Sequence, residues 1–176
     1  MLRDYFPGAY APDVFAIDYQ WLFDRGYRAI LFDVDNTLVH HNAASTEKVD
    51  ALFQKLQKIG LKTALVSNNS PERLERFSQN MDTCCIAEAE KPQAAGYENA
   101  LQALDIPREQ AVFIGDQVFV DICGANRCGI ASILVHYITV NPKAWIGFRR
   151  YLEKMILFVY KFRKSLHILE GAVKRS

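Results

Sequence analysis

Four aspartates stand at spacings that suit the chemistry of phosphate esters. Asp33 and Asp35 are two residues apart in "FDVDNT", and Asp116 and Asp121 are five apart in "GDQVFVD". Alternate residues of an extended chain point to the same face, so Asp33 and Asp35 can reach one substrate. One carboxylate can then attack phosphorus, while the other protonates the leaving oxygen and later deprotonates water. The pair therefore indicates phosphoryl transfer.

Such a site needs a cation, because carboxylates repel the phosphate that they must attack. Asp33 and Asp116, with the main-chain carbonyl of Asp35, make an oxygen-rich set that suits Mg²⁺. We therefore predict that Asp33, Asp35 and Asp116 hold Mg²⁺. Backbone N–H groups and a lysine point charge suit the phosphoryl oxygens. The candidates for contact with phosphate are Asn36, Thr37, Ser67, Asn68 and Lys91.

Each of these residues also has a purely structural interpretation. Asp33 or Asp35 alone could cap a helix or form a turn. Ser67 could cap a helix that starts near Pro71, and Lys91 could be a solvated charge. The recurrence of polar residues after four successive apolar segments favours a shared site.

The tandem histidines His40 and His41 follow the first of these segments. They lack neighbours that could complete a metal site. We interpret both as residues of a surface loop, with His40 as a candidate for the rim of the site.

Alternating apolar and amphipathic segments must position these residues. The predicted strands are "YRAILFD", "LKTALV", "TCCIA", "AVFIG" and "SILVHY", with helices between them and a further helix over residues 12–25. This alternation predicts right-handed βαβ units and an α/β fold, a Rossmann-like parallel sheet with helices on both faces. Active sites of such sheets form beyond the carboxyl ends of the strands, where the polar residues fall.

The polar segments resemble the four motifs of the haloacid dehalogenase (HAD) superfamily. "DVDNTL", "VSNN", "KP" and "GDQVFVD" occur in the order of those motifs. The resemblance implies Asp33 as nucleophile, Asp35 as acid–base residue, and Asp116 as a ligand of Mg²⁺. It implies that Asp121 contacts the metal ligands without binding the metal, or that it is an occasional metal ligand. It also implies Ser67 and Lys91 on the phosphate. The implied reaction is Mg²⁺-dependent phosphomonoester hydrolysis through an aspartyl-phosphate.

Many HAD enzymes carry a cap domain after the first motif or between the second and third. Residues 38–65 have room for little more than one helix, and residues 67–91 for one helix and one short strand. A separate domain needs at least about 50 residues. We therefore predict a capless enzyme with an open site, which suits substrates whose bulk lies outside the pocket.

The C-terminal segment is basic, whereas the rest of the chain is acidic. Residues 143–176 carry nine basic and two acidic side chains, against 12 and 18 in the first 142 residues. Apolar residues recur there at alternating intervals of three and four, which predicts an amphipathic helix. The stripe comprises Trp145, Phe148, Leu152, Met155, Val159, Phe162, Leu166 and Leu169. Three interpretations of this helix stay open: it docks on the sheet, it pairs with a second copy, or it contacts anionic lipid. Contact with lipid is favoured for residues 155–164.

Nearly all of the chain up to about residue 157 is similar to the capless subfamily IIIA group, the YqeG family, which includes phosphatidylglycerophosphate phosphatases. The similarity rests on "FPGAY", "RGYRAILFDVDNTLV", "AEAEKP", "GDQVFVDICGANRCG" and "FRRYLEKMI". It implies dephosphorylation of phosphatidylglycerophosphate to phosphatidylglycerol, a step toward cardiolipin. Val120 departs from the family, which has threonine before the second acid. Arg127 is a candidate for contact with the lipid headgroup. A structural hydrogen bond to a loop is an equal alternative.

Length and composition set the remaining expectations. We predict a catalytic domain over residues 1–142 and a basic helical extension over residues 143–176. The first 18 residues lack the apolar core of a signal peptide, and no apolar run approaches the about 20 residues of a membrane span. We expect a cytoplasmic protein, with the inner face of the membrane as an anionic contact surface. We expect no nucleic acid as partner, and a homo-oligomer stays open.

Two other functions remain open at this point. The first is a soluble HAD phosphatase acting on nucleotides, sugar phosphates or phosphoproteins. The second is a non-catalytic module that binds a membrane or a protein partner. The complete set of acids together with Lys91 argues against the second, because a module without activity has no need of them.

Overall fold

The computed structural model describes residues 2–138 and 148–174. In these residues six parallel strands form one sheet in the order β1-β6-β5-β2-β3-β4. The strands are β1 (Ala9–Ala11), β2 (Ala29–Phe32), β3 (Lys62–Val66), β4 (Cys84–Ile86), β5 (Ala111–Gly115) and β6 (Ala131–Val135). The helices are α1 (Tyr19–Asp24), α2 (Glu47–Ile59), α3 (Pro71–Ser78), α4 (Ala94–Leu104), α5 (Cys123–Arg127) and α6 (Phe148–Lys161). The predicted α/β fold is confirmed.

Both faces of the sheet are covered, because its central strands are apolar on both sides. On β2, Ile30 and Phe32 point into a cluster that packs against α1, α2 and α3. Ala29 and Leu31 point the other way, into a second cluster with α4 and α5. All four side chains are fully buried. This two-sided packing fixes the carboxyl edge of the sheet, where the polar residues follow.

The N-terminal region differs from the prediction in two ways. The short edge strand β1 was not predicted, since three residues in "AYA" carry little periodic signal. The helix predicted over residues 12–25 is interrupted, so that α1 begins only at Tyr19. Asp13 accepts hydrogen bonds from the N–H groups of Phe15 and Ala16, and Asp18 accepts one from Trp21. Each aspartate therefore starts its own short helical segment, and the single predicted helix is wrong.

The expected absence of a cap domain is confirmed for the described residues. Between β2 and β3 the chain forms α2 after a loop, and between β3 and β4 it forms α3 alone. Neither connection has the length for a lid. Within residues 2–138 and 148–174, no lid therefore covers the carboxyl edge of the sheet.

The C-terminal helix is shorter than the predicted stripe. α6 ends at Lys161, and single 3₁₀ turns follow at Lys164–Leu166 and Glu170–Ala172. Leu169 and Ala172 are buried, and the Leu169 N–H donates to the carbonyl of Gly8. The chain therefore leaves the helix to bury these residues against the N-terminal segment. Trp145 of the predicted stripe lies outside the described residues.

Candidate active site

Three neighbouring strands bring the predicted residues to one edge. β5, β2 and β3 are adjacent and parallel in the sheet, so the residues that follow them lie side by side. Asp116, Asp33 and Ser67 are these residues, and all three are buried. An open depression of about 160 Å³ lies at this edge. Its lining includes Asp33, Asp35, Asn36, Ser67, Asn68 and Lys91.

Lys91 pairs with two of the aspartates at this edge. It follows β4, and its side chain is 2% exposed. Its Nζ lies 2.7 Å from Asp33 Oδ1 and 2.8 Å from Asp121 Oδ1. The Asn68 side chain accepts the Lys91 N–H at 2.7 Å and donates to the Lys91 carbonyl at 3.2 Å. Both amide atoms of Asn68 thus position Lys91, a different task from the predicted contact with phosphate.

Three buried carboxylates lie close enough to share a cation. Oxygen atoms of Asp33, Asp116 and Asp121 all lie within 4.8 Å of one another. The Thr37 hydroxyl donates to Asp33 Oδ2 at 3.0 Å and lies 3.5 Å from Asp116 Oδ1. Thr37 therefore orients the acids, whereas it was predicted to contact phosphate.

The charges of this cluster fit a divalent cation. The three carboxylates and Lys91 are buried and together carry a formal charge of −2. Buried charge without compensation is costly, so a divalent cation on the three acids would stabilise the site. Gly115 permits the approach of Asp121, since a Cβ atom at position 115 would stand 2.5 Å from the Asp121 side chain.

Burial and the neighbouring charges set the protonation of two groups. Burial raises the pKa of Asp33 to about 6, and the Asp121 carboxylate adds to this rise, while Lys91 opposes it. For Lys91, burial alone would lower the pKa. The charges of Asp121 and Asp33 outweigh burial and hold the pKa of Lys91 above its ordinary value. Lys91 is consequently a fixed positive charge at neutral pH.

Asp35 lines the same depression as Asp33, but its carboxylate is held by partners outside the three acids. Its carboxylate accepts hydrogen bonds from Asn69 Nδ2 at 2.8 Å and the Asn42 N–H at 3.0 Å, and pairs with Arg73 at 3.2 Å. The two predicted catalytic carboxylates, Asp33 and Asp35, thus have different hydrogen-bond partners. The Asp35 side chain lies outside the acid cluster, and the metal contact predicted for its main-chain carbonyl stays a prediction.

Three side-chain partners of Asp35 received no role from the sequence. Asn69 belongs to "VSNN", Arg73 lies one turn into α3, and His41 Nδ1 lies 3.2 Å from Asp35 Oδ2. His41 also lines the depression. The prediction that His41 lies on a surface loop is confirmed, since its side chain is 67% exposed, and His41 takes the rim position suggested for His40. A loop partner of this kind leaves no periodic signal in a sequence.

Two further candidates, Asn36 and Ser67, make local hydrogen bonds at this edge. Asn36 adopts a left-handed conformation with φ of 65°, and its N–H donates to the Val39 carbonyl. The Ser67 hydroxyl accepts the Asn69 N–H at 3.3 Å. The N-terminal cap position of α3 belongs to Ser70, so the alternative that Ser67 caps this helix is wrong.

Arg127 does not belong to the site. Its Nε lies 3.7 Å from Asp4 Oδ2 in the N-terminal turn, and its side chain is 52% exposed. α5 starts two residues after Asp121, and Arg127 at its last position contacts Asp4. The structural alternative describes this contact, and the contact with a headgroup stays a prediction.

Glu153 of α6 reaches the loop that carries Asp116. It is buried, and its Oε1 accepts the Val118 N–H at 2.9 Å. On the opposite side of the same loop, Asp121 Oδ2 accepts the Gln117 N–H at 3.0 Å. Two carboxylates thus fix the residues that follow Asp116. The only sequence signal for Glu153 was a lone acid within a basic helix.

Comparisons with known proteins agree with this geometry. Residues 43–129 match the family model of the haloacid dehalogenase-like hydrolases. The chain is 31% identical to the "Probable phosphatase YqeG" of Bacillus subtilis (strain 168), over 92% of this chain and 95% of that protein. It is 27% identical to phosphatidylglycerophosphate phosphatase 1 of Chlamydomonas reinhardtii, over 77% of this chain and 54% of that protein.

Solved structures repeat the fold. An uncharacterized protein from Listeria monocytogenes serotype 4b superimposes with a TM-score of 0.54 at 20% identity, over 76% of this chain and 99% of that one. A haloacid dehalogenase-like hydrolase from Streptococcus pneumoniae gives 0.51 at 15% identity, over 62% and 85%. With the acid cluster, the fold and the YqeG relative in agreement, the chain belongs to the phosphatases of the haloacid dehalogenase-like hydrolase family.

Proposed function

We propose that this chain is a Mg²⁺-dependent phosphomonoesterase of the capless subfamily IIIA and that its substrate is phosphatidylglycerophosphate. The observation that carries the enzymatic part is the buried group of Asp33, Asp116, Asp121 and Lys91 at an open edge of the sheet. Mg²⁺ prefers oxygen ligands and would neutralise phosphate charge there. Asp33, Asp116 and Asp121 are the side chains that would hold it.

The proposed reaction uses the two aspartates in sequence. A carboxylate oxygen of Asp33 attacks phosphorus and forms an aspartyl-phosphate, while the bond from phosphorus to the ester oxygen breaks. Asp35 gives its proton to that oxygen, so that the alcohol leaves. Asp35 then takes a proton from water, whose oxygen attacks phosphorus and releases inorganic phosphate, restoring Asp33. Lys91 stabilises the negative charge on the phosphoryl oxygens throughout.

Two observations support the lipid substrate. One relative bears the name phosphatidylglycerophosphate phosphatase 1, although the chain spans about half of that protein's length. The absence of a cap in the described residues leaves room for a headgroup whose acyl chains stay in a bilayer. The proposed product is phosphatidylglycerol.

A phosphate-release screen tests the proposal. The full chain is assayed with Mg²⁺ on phosphatidylglycerophosphate in mixed micelles, and on nucleotides, sugar phosphates and phosphopeptides. We expect the highest kcat/KM on the lipid and no release by the Asp33→Asn variant. Efficient hydrolysis of soluble esters without activity on the lipid would assign the soluble class instead. Absence of release from every substrate would leave the chain a binding module.

A further inference from the structure

The outer side of α6 presents an apolar surface to solvent. Large apolar side chains there are exposed by 60% at Tyr151, 55% at Met155, 64% at Phe158 and 74% at Phe162. With 3.6 residues per turn, positions 151, 155, 158, 159 and 162 fall on one stripe. We define the outer face as Tyr151, Met155, Phe158, Val159 and Phe162. A contiguous exposed surface of this kind marks an interaction site.

The opposite side of α6 already serves the fold. Glu153 and Tyr160 are buried, and Glu153 Oε1 accepts the Val118 N–H. Ile156 and Leu157 pack against the cluster of Val118, Ile122 and Leu134. These contacts fix α6 so that the outer face points to solvent, and the packing of the described residues leaves this face exposed.

The charge around the outer face is positive. Lys154 and Lys161 border the stripe on one side, and Arg163 and Lys164 follow the end of the helix, all four exposed. Within residues 151–164 the one acid is Glu153, which is buried under the helix. The surface thus combines apolar and aromatic side chains with a cationic margin.

We propose that the outer face docks on the surface of an anionic phospholipid bilayer. Apolar side chains would enter the boundary of headgroups and acyl chains, while the four cations meet the lipid phosphates. A second copy fits poorly, because an isologous contact would bring the two cationic margins together. Nucleic acid fits poorly as well, since it would leave the phenyl rings in water.

The dimensions of the helix suit an orientation in the plane of the membrane. The 14 residues of α6 extend about 21 Å, which is shorter than the hydrocarbon core of a bilayer. In the described part of the chain, no helix has the length and apolar character of a membrane span. Because Glu153 joins α6 to the loop after Asp116, docking would hold the open site beside the bilayer. The proposal holds whichever phosphomonoester the site hydrolyses.

Vesicle sedimentation of the full chain tests this surface. The vesicles contain phosphatidylcholine alone, or equal amounts of phosphatidylcholine and phosphatidylserine, so that the proposed product of the enzyme is absent. We expect binding to the anionic vesicles and at least about 10-fold weaker binding by Phe158→Ser/Phe162→Ser, since both rings leave the apolar phase. Lys161→Gln/Lys164→Gln should weaken binding by about fivefold for each charge removed, and salt should weaken the wild type.

A matched control is Lys55→Gln/Lys58→Gln, which removes two exposed lysines from α2 and should bind as the wild type does. Release of phosphate from a soluble ester and the thermal unfolding temperature, measured on the same samples, show that each variant is folded and active. Equal binding by the wild type and the phenylalanine variant would overturn the proposal. So would equal binding to neutral and anionic vesicles, or a wild-type dimer in solution that the phenylalanine variant abolishes.

Discussion

Lys91 Nζ and Asp33 Oδ1 lie 2.7 Å apart in the interior of the site, although their positions are 58 residues apart in the chain. The same ammonium contacts Asp121 Oδ1 at 2.8 Å. A lysine with this degree of burial is stabilised only by such partners, and the partners are stabilised by it. The proposed nucleophile and the proposed phosphate ligand therefore form one electrostatic unit.

Lys91→Met tests this unit because it keeps the length of the side chain and removes the charge. We expect phosphate release to fall about 10²–10³-fold, the usual loss for one electrostatic donor. Without metal, two buried carboxylates lose their partner, so the free energy of unfolding should fall by about 3–5 kcal/mol. Chemical denaturation in EDTA and steady-state kinetics measure the two effects. Lys55→Met, on the exposed side of α2, is the control, and a Lys91→Met variant with full activity would remove Lys91 from the mechanism.

Asp35→Asn distinguishes an acid–base residue from a binding residue. Alkyl phosphates need a proton on the leaving oxygen, so their hydrolysis should fall about 10²–10⁴-fold. An aryl ester such as p-nitrophenyl phosphate leaves without protonation, and its first step should be much less affected. The measurement is the single-turnover rate on both esters. Equal losses on the two would assign Asp35 a different role.

Asp33→Asn should change stability as well as activity. Burial raises the pKa of Asp33 from its ordinary value of 3.8 to about 6. A raised pKa means that the folded state holds its proton more tightly than the unfolded chain. The resulting stability is present below pH 3.8 and is lost as the pH rises through about 6. In EDTA, we expect the variant to unfold at a higher temperature than the wild type above pH 6.

The difference should shrink as the pH falls from 6 toward 4, because Asp33 then becomes protonated in the folded state and is as neutral as asparagine. Thermal unfolding across this pH range measures it. A variant less stable than the wild type at neutral pH would show that the pairing with Lys91 outweighs the cost of burying the charge.

Glu153 should determine how well the loop after β5 presents Asp116. Glu153→Leu leaves the buried Val118 N–H without an acceptor, which should cost about 1–3 kcal/mol of stability. Loss of a partner that orients a metal ligand weakens metal affinity about 10–100-fold. Glu153→Gln keeps an oxygen acceptor and should retain most of the affinity. Calorimetric titration with Mg²⁺ compares the two, with Glu75→Gln on the exposed side of α3 as control. Equal Mg²⁺ affinities of the Glu153→Leu and Glu153→Gln variants would contradict the positioning role.

Arg127→Gln tests the position of this residue outside the site. Its contact is an exposed ion pair at 3.7 Å, and such pairs contribute little. We expect unchanged kcat and KM on the lipid and a change in stability within about 0.5 kcal/mol. A raised KM for phosphatidylglycerophosphate alone would restore the headgroup contact.

The amino-acid sequence by itself determined the alternation of strands and helices, the lack of room for a cap, and the identity of the acids at the strand ends. These features are local, because a buried parallel strand is a short apolar run and its site residue comes next in the chain. The residues 33, 35, 67, 91 and 116 all reach the carboxyl edge of the sheet as predicted.

Only the tertiary structure decided which partners each of those residues contacts. It turned Asp35 toward Arg73 and Asn69, and Asp121 toward Lys91. In the folded chain Arg127 lies at the end of α5, beside Asp4. α6 ends where the residues that follow it can be buried. Each outcome depends on which surfaces meet across distant parts of the chain, and side-chain pairing of that kind leaves no periodic signal in the sequence. The same packing left the outer face of α6 exposed, although the amphipathic pattern was visible from the start.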